Sequence, residues 1–552
     1  MAWARGRFVI LPIVRHIQKS AWLLVLLSAV LQVLIFPLPN FYFLTWIAVT
    51  PLLVALLRAR QPETLQLTEG SRLLPASPWQ GFLLGYFCGI LWFAGTCYWV
   101  FNTMKQFGGI SAAAALGILL LFCLYLGLYF GVFGAIISFA AKSSMQRALV
   151  IAPFAWTAVE VARTRISGFP WDLLGVTQIN NVPFSHIATV TGVYGISFEI
   201  MVVNTAFAAA FLVRREKRNA LRIVAIAAAV VLQSGSLVQP ANLPTTHTAV
   251  LVQENLPVVQ EAAWTGKSFQ AALNEFSALS ENPPGRTSGK PDLIVWPESP
   301  APFYTNDPIF RQSLSTLAQK TGTWVIAGSM GVPPNQFQPE KEIYNSAVLV
   351  SPSGDWVDRY DKVHLVPFGE YLPFPSLFSF ASGLTQEVGE FTHGSSRKPL
   401  QAGGTKLGVF ICYESIFPDE IRQFAKQGAQ VFVNLSNDGW YGDSGAYAQH
   451  FEQSRMRAVE NDRWLLLDTN TGVTASVDPY GRVVTRAPRK LRTAIPAPYS
   501  LANTITFYTQ HGDWFAYLCA IICIVALVAR IPFRKGTTTH HGRGTRAGIL
   551  NS

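Results

Sequence analysis

Three short blocks in the second half of the chain place reactive side chains where an apolar run gives way to a loop. Leu293-Ile294-Val295-Trp296-Pro297-Glu298 reads as a buried strand ending in proline, which has no N–H for a sheet ladder, so Glu298 emerges where the sheet stops. A carboxyl partly buried at such a place suits general acid–base work at neutral pH, although the block alone reads more plainly as a surface Glu after a strand. Val409-Phe410-Ile411-Cys412-Tyr413-Glu414 runs an apolar strand directly into a thiol and a carboxylate, and a helical pattern resumes near Asp419. That is a strand–turn–helix setting for a nucleophile. A thiol attacks as thiolate and needs a positive or basic neighbour. Lys362, in Asp361-Lys362-Val363-His364-Leu365-Val366-Pro367-Phe368-Gly369-Glu370, can supply the charge and stabilise an oxyanion, Glu298 can supply the base, and Glu370 can orient either one. His364 is a further candidate base on the same side as Lys362 if this stretch is extended, but a lone histidine is more often a structural donor.

The cysteines separate Cys412 from its fellows. Cys88, Cys97, Cys123, Cys519 and Cys523 all lie inside apolar stretches, where cysteine is a small buried hydrophobe. Cys412 alone lies in a polar region and has no pairing partner there.

The elements around these blocks are of two kinds. Half of the 552 residues are hydrophobic and only 14% are charged, more apolar material than an aqueous core needs. Apolar runs long enough to cross a hydrocarbon core occur near 21–38, 41–57, 81–101, 112–141, 147–163, 187–213, 220–238 and 513–530, which predicts eight transmembrane helices. The net charge of +11 does not argue for nucleic acid, because the excess Lys and Arg sit in short clusters beside apolar runs. With the N-terminus inside, the inner segments carry Arg58, Arg60 and Arg72, then Lys142 and Arg147, then Arg214, Arg215, Lys217 and Arg218, then Arg530, Arg534 and Lys535. Outer loops hold little positive charge beyond Lys105, Arg163 and Arg165. Both termini are therefore expected in the cytoplasm, and the segment between the seventh and eighth spans outside.

That segment, 240–512, alternates short β-rich runs with amphipathic stretches and predicts an extracytoplasmic α/β domain. Strands are expected at 248–253, 293–296, 324–327, 346–350, 407–411, 431–434, 464–468 and 472–477, with helices at 307–320, 419–426 and 446–460. The expected organisation is a bundle over 1–239, a soluble domain over 240–512, a last helix with a basic flank over 513–535, and a disordered polar tail over 536–552.

The three blocks in this order, with Asn437-Asp438-Gly439-Trp440 and the Pro367-Phe368-Gly369-Glu370-Tyr371-Leu372-Pro373 run, resemble the nitrilase, or carbon–nitrogen hydrolase, superfamily. Their embedding between apolar spans is similar to the bacterial apolipoprotein N-acyltransferase family, and the similarity covers essentially the whole chain. The resemblance implies a nitrilase-like αββα sandwich in which Glu298 is the general base, Lys362 stabilises the oxyanion and Cys412 is the nucleophile. It implies that Glu370 and Glu414 are supporting acids and that Tyr413 is the aromatic beside the nucleophile. It further implies that Trp264 and Trp440 lie on arms near the entrance and that Tyr344 and Asn345 line the pocket. Tyr441 stands where the family usually has Phe, and the 332–342 loop is long. The implied partners are a membrane phospholipid as acyl donor and a diacylglyceryl lipoprotein as acceptor, in the bacterial inner membrane with the catalytic domain periplasmic and the protein a monomer. Scattered histidines and the lack of a Gly-rich cradle after a strand lead us to expect no metal, no cofactor and no nucleic acid.

Two rival readings remain at this stage. An anchored amidase or nitrilase would send the acyl group to water, but a soluble substrate needs no more than one anchoring helix. A transporter or lipid-binding scaffold would carry ionisable groups within its spans, where only Glu160 and Glu199 are conspicuous; both are expected to face the bundle or the outer leaflet boundary.

Overall fold

The computed structural model describes residues 17–61, 73–212, 215–258, 263–285, 289–299, 301–333, 342–371 and 391–529. The basic clusters before the first helix and after the last, Arg72, Arg214, most of the 332–342 loop and the polar tail lie outside the described residues.

Each predicted apolar run is helical. The helices are Lys19–Leu34, a stretch over Tyr42–Leu57 made of short segments, Pro78–Thr96 continued after a 52° bend by Trp99–Gln106, Ala112–Ala141, Met145–Ser167, Val193–Leu212, Arg215–Ser234 and Trp514–Val528. Among the described residues three helices are long and apolar enough to cross a membrane, or four if the bent pair is one span. Lys19–Leu34 has 16 residues, about 24 Å of helix against a core of about 30 Å. Met145–Ser167 is long but carries Arg147, Glu160, Arg163 and Arg165. The run expected at 187–213 is broken at Gly192 into a short turn and the helix Val193–Leu212. Helices Pro78–Thr96 and Ala112–Ala141 pack backbone to backbone, since a Cβ at Gly85 would stand 2.2 Å from the Phe130 carbonyl and one at Gly134 2.1 Å from that of Gly81. Small residues are what permit such an approach where no hydrophobic effect drives helices together. Leu23, Leu121, Ile223 and Val231 are exposed on the outside of the bundle, as side chains facing lipid would be.

The polar segment folds into two six-stranded sheets. The first has the order β12-β1-β2-β3-β4-β5, with β1 His247–Gln253, β2 Leu293–Val295, β3 Trp324–Gly331, β4 Tyr344–Val350, β5 Trp356–Asp361 and β12 Thr493–Tyr499. The second has the order β11-β10-β9-β8-β7-β6, with β6 Leu400–Ala402, β7 Thr405–Ile411, β8 Val431–Ser436, β9 Leu465–Thr469, β10 Ala475–Val477 and β11 Val483–Arg486. The sheets repeat one plan, two parallel pairings at the centre (β1-β2-β3 and β7-β8-β9) and antiparallel ones outside. Helices Gly266–Glu281 and Pro308–Thr321 cover the outer face of the first sheet through Phe276, Phe310 and Leu314. Pro418–Lys426 and Ala446–Asn461 cover the second, so the order of layers is αββα.

All four strands absent from the sequence expectation, β5, β6, β11 and β12, are sheet edges. Edges need not be apolar, and β12 carries Pro496 and Pro498, which only an edge tolerates. The expected strand at 472–477 is shorter, Ala475–Val477, and the helix Gly266–Glu281 was not foreseen.

Helix Ala446–Asn461 joins the two halves. Its sequence is polar nearly all round, yet 14 of its 16 residues are buried. The bundle supplies the partners: Trp171 Nε1 donates to Gln449 Oε1 at 2.8 Å, Asn40 Nδ2 to Glu452 Oε1 at 3.0 Å, and the Val193 N–H to Glu460 Oε1 at 3.0 Å. Arg455 reaches Asn180 Oδ1 at 2.9 Å. A helix of this composition stays buried only because each polar group is met.

Candidate active site

Glu298 leaves the sheet three residues after β2, and the approach of β3 fixes its loop. A Cβ on Gly328 would stand 2.1 Å from the Pro297 carbonyl oxygen and 2.8 Å from the Glu298 Cα, so no larger residue fits beneath the loop. Lys362 directly follows β5, and its N–H donates to the Asn345 carbonyl on neighbouring β4 at 2.8 Å. Cys412 directly follows β7 and opens a single turn of 3-10 helix. Three chain-distant residues thus sit at strand ends, two after central strands and Lys362 after the edge strand β5, where backbone stops pairing and side chains are free to converge.

They do converge. Lys362 is 1% exposed, with Nζ 2.8 Å from Glu370 Oε1 and 3.4 Å from Glu298 Oε1. Asn345 ties the two carboxylates together, its Nδ2 donating to Glu298 Oε1 at 2.8 Å and to Glu370 Oε1 at 2.7 Å. Backbone N–H groups hold the other oxygens, Asn437 on Glu298 Oε2 at 2.9 Å and Val366 on Glu370 Oε2 at 2.7 Å. Burial alone would lower the titration of Lys362, but Glu370 and then Glu298 outweigh it and hold the ammonium protonated above its ordinary range.

Cys412 is 6% exposed and adopts φ 49°, a left-handed backbone unusual for a non-glycine residue. Burial pushes its thiol up, the Glu298 charge adds to this, and Lys362 opposes it. The net direction is upward, so the resting group is a thiol. Lys362 spends its charge on two carboxylates, so deprotonation of the thiol needs a base at the moment of attack.

Glu414 does not point at the reacting groups. Its Oε1 accepts from the Val363 and His364 N–H groups at 2.9 and 3.0 Å, and its Oε2 from the Ile411 N–H at 2.8 Å, while the Tyr360 hydroxyl donates to both. It staples the Lys362 loop to the Cys412 turn. Burial raises its carboxyl, and the N–H groups of Ile411 and His364 work against that.

The remaining expected residues are scattered. Tyr413 reaches the bundle, its hydroxyl 3.3 Å from the Gly168 carbonyl. The Trp440 carbonyl accepts from Thr103 at 2.9 Å and its ring meets Phe107 edge-on. Trp264 packs against the outer core of the first sheet, away from the nucleophile. Tyr344 turns to Glu342 and Arg359 rather than to Glu298, whereas its neighbour Asn345 is central. His364 is drawn off to Glu420 at 2.9 Å and stacks on Phe417, which leaves it outside the cluster. Glu160 lies inside the bundle and accepts from the Leu174 N–H at 2.8 Å, and Glu199 is exposed on the outer side of its helix. Among the described residues no group of three His, Cys, Asp or Glu side chains could hold a metal ion.

The sequence reading passed over His450. It is wholly buried behind Cys412, with Nδ1 at 3.0 Å from Asp438 Oδ1 and Nε2 at 3.1 Å from the Cys412 carbonyl oxygen. Its only signal in the sequence was a histidine inside a helix rich in polar residues.

An αββα sandwich that gathers a glutamate, a lysine and a cysteine from three strand ends of its two sheets has the plan of a carbon–nitrogen hydrolase, and the model of that family, described as carbon-nitrogen hydrolase, matches residues 232–505. The apolipoprotein N-acyltransferase N-terminal domain matches residues 28–206. Among curated relatives, the apolipoprotein N-acyltransferase of Geobacter metallireducens is 31% identical over 95% of this chain and 97% of its own. That of Methylococcus capsulatus is 34% identical over 86% and 92%, and that of Vibrio parahaemolyticus 29% over 83% and 90%. The chain belongs to the apolipoprotein N-acyltransferase family.

Proposed function

We propose that this enzyme transfers an acyl chain from a membrane phospholipid, through a thioester on Cys412, to the α-amino group of the N-terminal S-diacylglyceryl-cysteine of a lipoprotein. In the first half the Cys412 thiol gives its proton to Glu298, and the sulfur attacks the ester carbonyl carbon. The oxyanion forms beside Lys362. It collapses with cleavage of the bond to the glycerol oxygen, and Glu298 returns the proton to that oxygen, releasing a lysophospholipid. In the second half the amine gives a proton to Glu298 and attacks the thioester carbonyl, the C–S bond breaks, and Glu298 returns that proton to the departing Cys412 sulfur, which restores the resting thiol and the free base. One base serves both halves. Glu370 and Asn345 hold Lys362 and Glu298 in register, Glu414 holds the two loops together, and Tyr413 and Trp440, which meet the bundle, form the walls by which substrates approach.

The observation that carries this reading is that Glu298 and Lys362, tied together through Asn345 and Glu370, act electrostatically on Cys412, which stands on a turn whose next residue, Tyr413, touches the bundle. A site so placed can receive bilayer-held donor and acceptor sideways. In this reading 1–239 and 513–535 form eight transmembrane helices in a bacterial inner membrane, 240–512 is periplasmic, both termini with the tail 536–552 are cytoplasmic, and the protein acts as a monomer.

Mass spectrometry after incubation of the purified protein with phospholipid tests the chemistry. A hydroxylamine-labile acyl mass on the Cys412 peptide, absent in Cys412→Ser, is the expected result. An unmodified Cys412 with transfer retained in Cys412→Ser would refute it. Lipoprotein amine and water are then compared as acyl sinks, and release to water alone would make the protein an anchored hydrolase. A reporter active only in the cytoplasm, fused to the C-terminus, should be active if the topology is right.

A further inference from the structure

His450 takes no part in the proton transfers above, yet both of its ring nitrogens are engaged behind the nucleophile. Nδ1 faces Asp438 Oδ1 at 3.0 Å, and Nε2 faces the Cys412 carbonyl oxygen at 3.1 Å and Ser415 Oγ at 2.8 Å. Asp438 is itself fixed by the Ser436 hydroxyl at 2.9 Å. A carboxylate and a carbonyl only accept, so a ring that serves both must carry hydrogen on both nitrogens. Burial alone would strip that second proton, but the Asp438 charge outweighs it and holds the imidazole above its ordinary titration. The ring lies parallel to Trp171, at 6.3 Å and 6° between planes, and Tyr441 closes another side.

What this arrangement grips is strained. Cys412 has φ 49°, a conformation that an L-residue keeps only where its surroundings hold it from several sides. On one side the Glu414 carboxylate takes the N–H of Ile411. On the other, His450 takes the carbonyl of Cys412 itself. We propose that His450, oriented by Asp438, is a positioning residue that anchors the Cys412 carbonyl and so keeps the thiol in the left-handed turn facing Glu298 and Lys362. Because the ring donates to backbone and not to substrate, its loss lowers the rate of acylation without weakening donor binding.

The inference rests on Cys412 as nucleophile, so Cys412→Ala is run beside it. The full-length protein in detergent micelles is assayed with phospholipid. His450→Phe keeps the ring against Trp171 and removes its contacts with Asp438, the Cys412 carbonyl and Ser415; kcat is expected to fall by a factor on the order of 10–100 with KM for the phospholipid within about twofold. His450→Gln puts an amide N–H2 at about the reach of Nε2 and is expected to recover a substantial part of the loss. Wild-type kcat in His450→Phe, or equal impairment in the Phe and Gln variants, overturns the proposal. If the Phe variant does not fold, Asp438→Asn carries the test, with the same fall in kcat at unchanged KM expected and wild-type kcat overturning it. Transfer retained in Cys412→Ala defeats the nucleophile assignment itself, whereas an inactive Cys412→Ala beside an unaffected His450→Phe defeats only the positioning role.

Discussion

Replacing Lys362 by Met separates its chemical from its structural work. The ammonium lies 2.8 Å from one buried carboxylate and 3.4 Å from another. At an effective dielectric constant of about 20, attractions at those distances amount to roughly 6 and 5 kcal/mol, before the cost of desolvating all three groups is subtracted. With the cation gone, Glu298 and Glu370 face each other across Asn345, and one must take up a proton because two buried like charges so close do not both ionise. That uptake caps the loss of stability below the roughly 3–5 kcal/mol expected for stranding a buried charge. Catalysis has no such relief. The oxyanion loses its cation, a loss worth a factor on the order of 10²–10³, and Glu298, sharing one proton with Glu370, is free to act as base only part of the time, so acylation should fall by about 10³ or more. Rapid-quench single-turnover acylation, read by mass spectrometry of the Cys412 thioester, measures the rate, and thermal unfolding in detergent measures stability. The double variant Lys362→Met, Glu370→Gln removes the repelling charge and should regain stability while remaining slow. A Lys362→Met enzyme within tenfold of wild type would refute the reasoning, as would a double variant that recovers acylation along with stability.

Three further outcomes follow from the same geometry. Gly328→Ala drives a methyl group into the Pro297–Glu298 backbone, 2.1 Å from the Pro297 oxygen, so the base must shift and acylation should drop by about 10²; wild-type turnover would show that the loop yields freely. Glu414→Gln turns an acceptor of three backbone N–H groups and a tyrosine hydroxyl into a side chain with one acceptor oxygen, and should cost about 3 kcal/mol of stability, checked by thermal unfolding, where an unchanged midpoint would sink the stapling role. Glu452 carries a carboxyl that burial lifts from 4.5 to about 7, against the pull of Arg455 and the Asn40 hydrogen bond. Its folded value exceeds its unfolded one, so its contribution is complete below about pH 4.5 and is lost as pH rises through about 7, by at most about 3 kcal/mol. Glu452→Gln should therefore stand lowest against wild type at low pH and gain on it as pH rises through about 7; a difference independent of pH would refute the assignment.

The amino-acid sequence alone was enough to single out Cys412, because every other cysteine sits in an apolar run and only this one follows a strand into a loop. Glu298 was legible for the same local reason, since a strand that stops must release its next side chain, whereas Lys362 was legible only as a cation in a block with carboxylates, because its strand β5 is a polar edge. The central strands were legible because burial on both faces demands continuous apolar residues, and the four edge strands were not because no such demand acts on them. Helix positions in the bundle followed from apolar runs, but which runs are long enough to cross depended on bends, on Gly192 and on where polar residues fall.

What only the tertiary structure decided was which polar groups meet. Asn345 bridges two glutamates that stand 47 and 25 residues from it. His364 is adjacent to the right block and is turned away by Glu420, whereas His450, 38 residues from Cys412, holds its carbonyl. The polar helix Ala446–Asn461 is buried because Trp171, Asn40, Asn180 and Val193 come from the bundle to satisfy it. Hydrophobic periodicity is written within a few residues and survives being read in one dimension. A buried hydrogen bond is a relation between two groups, and its partner can stand anywhere along the chain.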